Sequence, residues 1–110
     1  MRKPHTYSTP ALDAAKVLGL ELARARRERR WTAQELAERA GISLVTLRKV
    51  ERGDTTVAVG TVFEVAVLLG VPLFNVDRSE LPALVARGRE RLALVPARVR
   101  EPVGPVRDDF

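Results

Sequence analysis

Ser43, Thr46, Arg48, Lys49 and Arg52 fall within ten residues and bring hydroxyl, guanidinium and ammonium donors to one stretch of the chain. Groups of this kind hold anions and hydrogen-bond acceptors; they do not by themselves make or break covalent bonds. The residue types that covalent chemistry needs are scarce. There is no Cys, which excludes disulfides and thiolate metal sites. The one His, His5, stands near the start of the chain in no catalytic or metal-ligand spacing. Ser8, Ser43 and Ser79 are accounted for as arm or capping residues, and no phosphate loop occurs. The reading is a binding protein with no catalytic residue, no metal site and no cofactor.

These donors must be held by local structure, and residues 32–53, TAQELAERAGISLVTLRKVERG, supply it. Thr32 is placed to cap a helix, with Glu35 completing a capping box three residues on. Leu36, Ala37 and Ala40 make an apolar stripe at helical spacing. Gly41 suits a sharp turn because it takes positive φ without a Cβ clash, and Ile42 plugs the turn. Ser43 caps a second helix in which Leu47 and Val50 face inward and Arg48, Lys49 and Arg52 face outward, and Gly53 stops it. Two short helices about a glycine turn suit a helix-turn-helix, whose second helix enters the DNA major groove. Its first turn, where base edges are touched, carries Leu44, Val45 and Thr46. Two amphipathic helices in some other bundle would be the blander account, but the caps, turn, plug and stop all agree in register.

The segment from about Leu18 to Val76 resembles the Cro/C1-type (XRE-like) helix-turn-helix family. The resemblance rests on the Arg-rich end of the first helix, on TAQELAERAGIS, on VTLRKVERG and on VFEVAVLLGV. It implies an all-α, compact, five-helix, lambda-repressor-like domain. It also implies an ion pair between Arg26 and Glu51, which stand where the family pairs an Arg of helix 1 with a Glu of the recognition helix, in a structural role. Two departures matter. Ala33 stands where the family often has Gln, which is displaced to Gln34. Leu44 and Val45 cannot make bidentate hydrogen bonds, so apolar contact with thymine methyls or space-filling is left to them. Base reading then falls to Thr46, Arg48 and Lys49, with Ser43 beside them, and phosphate contact to Thr32, Gln34, Arg52 and Thr55. Modest specificity per half-site calls for a homodimer on a palindromic operator in double-stranded DNA.

A chain of 110 residues with net charge +5 has room for one small core. The charge is uneven. Residues 1–53 hold twelve Lys/Arg against six Asp/Glu, residues 54–95 four against five, and residues 96–110 three against three. The positive excess sits on the half with the helix pair, as phosphate binding requires. No apolar run is long enough to span a membrane, and the opening Met-Arg-Lys is not followed by an apolar signal segment. The expectation is a bacterial cytoplasmic, nucleoid-associated protein with no membrane partner.

Three regions follow from the rest of the chain. Residues 1–9 form a flexible arm whose Arg2 and Lys3 are candidates for a minor groove, although a disordered arm is the simpler reading. Residues 10–95 form the domain. Its first helix is expected to start at Pro10 under a Thr9 cap and to run to about Arg30, burying Leu12, Ala15, Leu18, Leu22 and Ala25. Gly19 inside it costs about 1 kcal/mol relative to alanine and marks either close packing or a break. The run Arg24, Arg26, Arg27, Arg29 and Arg30 faces phosphates in part, or is a solvated surface. Trp31 covers the start of the next helix. A polar loop at Asp54-Thr55-Thr56 precedes a poorly capped helix over about Val59–Leu69 stopped by Gly70, then an apolar connection Val71-Pro72-Leu73-Phe74. Ser79 is expected to cap a fifth helix whose apolar stripe, Leu81, Leu84, Val85, Leu92 and Val95, serves either as dimer contact or as core.

Residues 96–110, PARVREPVGPVRDDF, are too rich in Pro for a helix and read as an extended tail. Val106 and Asp108-Asp109-Phe110 look like a short docking peptide, against the plainer alternative of an inert tail. A small Cro/C1-type domain with such an extension resembles the HipB-type antitoxins. That resemblance implies a repressor that autoregulates its operon and also neutralises a HipA-type kinase toxin, with Phe110 docking on the kinase. The alternative is a stand-alone Cro/C1-type transcriptional regulator, phage or chromosomal, with an inert tail. A protein-interaction module that has lost DNA binding is kept open by Leu44 and Val45.

Overall fold

The computed structural model describes residues 6–98. They form five α-helices and no strand: α1 (Thr9–Glu28), α2 (Ala33–Ala40), α3 (Leu44–Arg52), α4 (Val59–Leu69) and α5 (Leu81–Ala93), with a short 3-10 turn at Arg78–Glu80 before α5. The all-α, five-helix architecture is the one expected. The chain divides into two units after Arg78. The first holds α1–α4 and the second holds α5, the boundary falling within the 3-10 turn. The candidate tail residues Val106, Asp108, Asp109 and Phe110 lie outside the described residues, as do Arg2, Lys3 and His5.

In the first unit each helix contributes an inward stripe to one core. Leu22 comes from α1, Leu36 and Ala37 from α2, Leu47 and Val50 from α3, and Val65, Ala66 and Leu69 from α4. Five of these side chains are fully buried Leu or Val, each stabilising the fold by roughly 2 kcal/mol. Leu18, Ala25, Trp31 and Ile42 pack around them. No buried polar side chain is left without a hydrogen bond among the described residues.

Several expectations are corrected. The cap of α1 is Ser8, whose hydroxyl accepts from the Ala11 N–H at 3.4 Å; Thr9 is already helical and Pro10 sits in the first turn. The helix ends at Glu28, because Arg30 takes a left-handed φ of 60° that breaks the helical run. It is unbroken at Gly19, so close packing, and not a break, explains that glycine. Leu12 remains 37% exposed, outside the residues packed on the core.

In the connection after α4, Val71 and Leu73 are half-buried, but Phe74 is 71% exposed. Phe74 and Asn75 both take positive φ in a tight turn that bridges Leu73 to Val76, and this throws the Phe74 ring out onto the edge of Phe63. In the second unit Ser79 belongs to the 3-10 turn and does not cap α5; the capping position is Glu80, which makes no side-chain cap bond. The helix closes at Ala93, and Val85, Leu92 and Val95 of the expected stripe are more than half exposed.

Candidate nucleic-acid interface

The α2–α3 pair is set by hydrogen bonds within the chain. Thr32 accepts from the Glu35 N–H at 3.0 Å, and the Glu35 carboxylate accepts from the Thr32 N–H at 2.8 Å, a complete capping box. The Thr32 N–H, which contributes most, and the Thr32 hydroxyl hold the Glu35 carboxyl below its ordinary pKa. Gly41 closes α2 with φ 71°, and the Ile42 N–H turns back to the Ala37 carbonyl at 3.0 Å. Gly53 closes α3 in the same left-handed conformation.

Ser43 caps α3. Its hydroxyl accepts from the Thr46 N–H and donates to the Thr46 hydroxyl, both at 3.0 Å. The two side chains thus engage each other, and Thr46 is half-buried. The outward side of α3 is different. Val45 is 65% exposed. Arg48 and Arg52 are exposed, Lys49 is partly exposed, and none of the three is in an ion pair among the described residues. Leu44 is half-buried beside them.

The cations of α1 and α2 are mostly engaged. Arg26 forms a bidentate pair with Glu51, Nε to Oε2 at 2.7 Å and Nη2 to Oε1 at 3.1 Å, and its third arm donates to the Trp31 carbonyl at 2.9 Å. The pair is only 12% and 14% exposed, and the hydrogen bond that Arg26 donates to Glu51 raises the Arg26 pKa above its ordinary value. This ties α1 to the end of α3. Arg24 meets Glu28 at 3.1 Å. Arg29 donates to the Leu69 carbonyl at the end of α4. Arg39 lies over the Trp31 ring at 4.3 Å, and Arg29 is 5.5 Å from it. Of the Arg run, then, Arg24, Arg26 and Arg29 serve intramolecular contacts, which leaves Arg27 and Arg30 as its solvent-facing cations.

The remaining candidates flank α3. Thr32 is exposed at the start of α2, and its hydroxyl accepts in the capping box. Gln34 directs its amide to Glu38 at 3.1 Å. Thr55 is half-buried in the loop after Gly53. That loop is pinned by Asp54, whose Oδ1 accepts from the Thr56 hydroxyl at 2.6 Å and the Thr56 N–H at 2.8 Å. The two bonds hold the Asp54 carboxyl low, helped by the nearby charges of Lys49 and Arg52. Sequence reasoning missed this turn, although the Asp-x-Thr spacing signals it. It missed the Arg39–Trp31 and Arg29–Leu69 contacts too, for which no local signal exists.

The arrangement offers an exposed helix face with three cations uncommitted to carboxylates, set on a turn held by two caps. Such a face can take phosphate oxygens and base edges. The family model described as Helix-turn-helix (HTH_3) matches residues 22–75, from the middle of α1 to the turn after α4. An uncharacterized HTH-type transcriptional regulator of Sinorhizobium fredii is 40% identical over 60 residues, which cover 54% of this chain and 78% of that protein. No solved structure matches the chain. No helix among the described residues is long and apolar enough to cross a membrane.

Proposed function

Because the chain belongs to the helix-turn-helix family, we propose that it is a DNA-binding transcriptional regulator that lays α3 in the major groove. The observation that carries this reading is the outward face of α3, where Arg48, Lys49 and Arg52 are exposed or partly exposed and in no ion pair among the described residues while Arg24 and Arg26 of α1 are engaged within the protein. Arg48 and Lys49 read base edges, Val45 and Leu44 meet thymine methyls, and Arg52, Thr32, Gln34 and Thr55 lie toward phosphate. Ser43 and Thr46 shape the start of the helix and offer hydroxyls beside it. The protein acts as a repressor, two copies binding the two halves of a palindromic operator.

The finer assignment, an antitoxin that also neutralises a HipA-type kinase, is supported by the sequence of the tail alone, through Val106, Asp108, Asp109 and Phe110. Truncation after Val95 separates the two activities: a purified HipA-type kinase is retained by the full chain and lost from the shortened one, while DNA binding persists. If the kinase binds neither, the stand-alone regulator remains.

The DNA reading is tested by Arg48→Ala with Lys49→Ala. Affinity for a selected site falls, and discrimination against sites substituted at the contacted base pairs falls with it. Affinity unchanged by the double substitution would remove α3 from the interface.

A further inference from the structure

The outer face of α1 carries a charge pattern that matches itself when reversed. Asp13, Lys16, Val17, Leu20, Glu21 and Arg24 stand at i, i+3, i+4, i+7, i+8 and i+11, so they share one face of the helix. That face lies opposite Leu18, Leu22 and Ala25, which turn to the core. All six residues are exposed. Val17 and Leu20, at its centre, are 61% and 67% exposed. Five of the six precede Leu22, where the family match begins. This surface is therefore an addition to the DNA-binding module and not part of its core.

We propose that this face is the interface between two copies of the chain, paired through antiparallel α1 helices. The inference rests on the dimeric reading of the function and assigns the surface that makes the dimer. A two-fold axis running between the two helices, at the level midway between residues 18 and 19, sets Val17 of one copy against Leu20 of the other. The same axis sets Asp13 opposite Arg24, with Lys16 and Glu21 on the two flanks of the contact. Because the two-fold operation repeats each contact, the Asp13–Arg24 pair forms twice. A parallel arrangement would set Asp13 against Asp13 and Arg24 against Arg24. Arg24 already lies beside Glu28 at 3.1 Å and Glu21 at 4.0 Å; its five N–H donors let it keep Glu28 and also donate to a carboxylate from the second copy.

The level of the axis is the level at which α1 is fixed on the opposite side. Gly19 abuts the end of α3 there, so a Cβ on it would stand 2.7 Å from the Val50 and Glu51 carbonyl oxygens. A dimer built on this stretch of α1 is thereby joined rigidly to both recognition helices. One helix pair buries less than the roughly 800 Å² per partner of a standard interface. The dimer is accordingly weak in free solution and is completed when two half-sites hold the copies together.

The test is sedimentation equilibrium of the full chain with charge reversals, with circular dichroism confirming unchanged helicity. Asp13→Arg alone, and Arg24→Asp alone, each set like charges opposite one another and weaken dimerisation by about tenfold or more. The chain carrying both reversals recovers the original dimer constant at unchanged net charge. An equimolar mixture of the two single variants recovers it as well, because each then supplies what the other lacks. Binding to a duplex with one half-site stays the same for the doubly reversed chain. If the single reversals leave the dimer constant unchanged, or the combined reversals fail to restore it, α1 is not the interface and the proposal falls while the dimeric reading stands. If the chain remains monomeric at all concentrations and on DNA with two half-sites, both fall together.

Discussion

Gly19 and Gly53 meet at the junction of α1 and α3, each leaving room for the backbone of the other's helix. A Cβ on Gly19 would stand 2.8 Å from the Gly53 nitrogen, and a Cβ on Gly53 would stand 2.7 Å from the Ala15 carbonyl oxygen and the Lys16 nitrogen. Gly53 also holds φ at 73°, where it ends the recognition helix. One contact thus fixes where α3 stops and how closely α1 lies against it. The Arg26–Glu51 pair fastens the same two helices nearby.

Gly19→Ala is therefore expected to destabilise the fold in spite of its better helix propensity. The substitution gains about 1 kcal/mol within α1, but the clash is with backbone atoms that no rotamer change can relieve. Overpacking of this kind costs about 1–3 kcal/mol, and the helix must also shift. Thermal unfolding reads the loss. DNA affinity falls further than stability alone requires, because the shift displaces α3. A variant as stable as the parent would mean that α1 tolerates a different seat.

Arg26→Met leaves the Glu51 carboxylate largely buried without its partner. At 12% and 14% exposure the pair is screened little by solvent, and breaking a buried pair costs about 3–5 kcal/mol. A loss of about 3 kcal/mol is expected in chemical denaturation. Arg26→Met with Glu51→Leu is expected to cost less than the two single changes added, since no lone charge remains. Additive losses would show the pair to be two independent surface charges.

The parts of the interface legible in sequence were those set within a few residues. The capping box of Thr32 and Glu35, the Ser43 cap and the glycine stops depend on neighbours three or four positions away, and α2, α3 and α4 fall where the spacing put them. The exchange of hydroxyl bonds that turns Ser43 and Thr46 toward each other was not legible, since it needs the rotamers of both. Nor were the partners of Arg29 and Arg39, the Leu69 carbonyl and the Trp31 ring, which lie on other parts of the chain. An Arg-rich run looks alike in sequence whether its members meet carboxylates, carbonyls, an indole or solvent.

Ser43→Ala is expected to act on the helix and not on one base pair. The hydroxyl accepts from the Thr46 N–H at 3.0 Å, and loss of such a cap costs about 1 kcal/mol. Binding to a panel of base-substituted sites should weaken evenly, because the start of α3 frays for every sequence. Weakening confined to one position would instead make Ser43 a base reader.

Stability should fall on the acid side, and two carboxyls identify why. Glu35 is held low by the Thr32 N–H and hydroxyl, and Asp54 by the Thr56 hydroxyl and N–H. A carboxyl whose folded-state pKa lies below its unfolded value, about 4 for these residues, stabilises the fold above that value. The contribution then fades as pH falls through the folded-state pKa. The melting temperature is expected to be level from neutral pH to about 5 and to decline below about 4. Glu35→Gln keeps an acceptor for the Thr32 N–H and removes the proton-binding step, so the variant should match the parent at neutral pH and lose less on acidification. Glu35→Ala should be weaker at every pH. A Gln variant with the full acid slope would assign that slope to Asp54, and Thr56→Val, which strips the larger of the two Asp54 bonds, is then the substitution that flattens it.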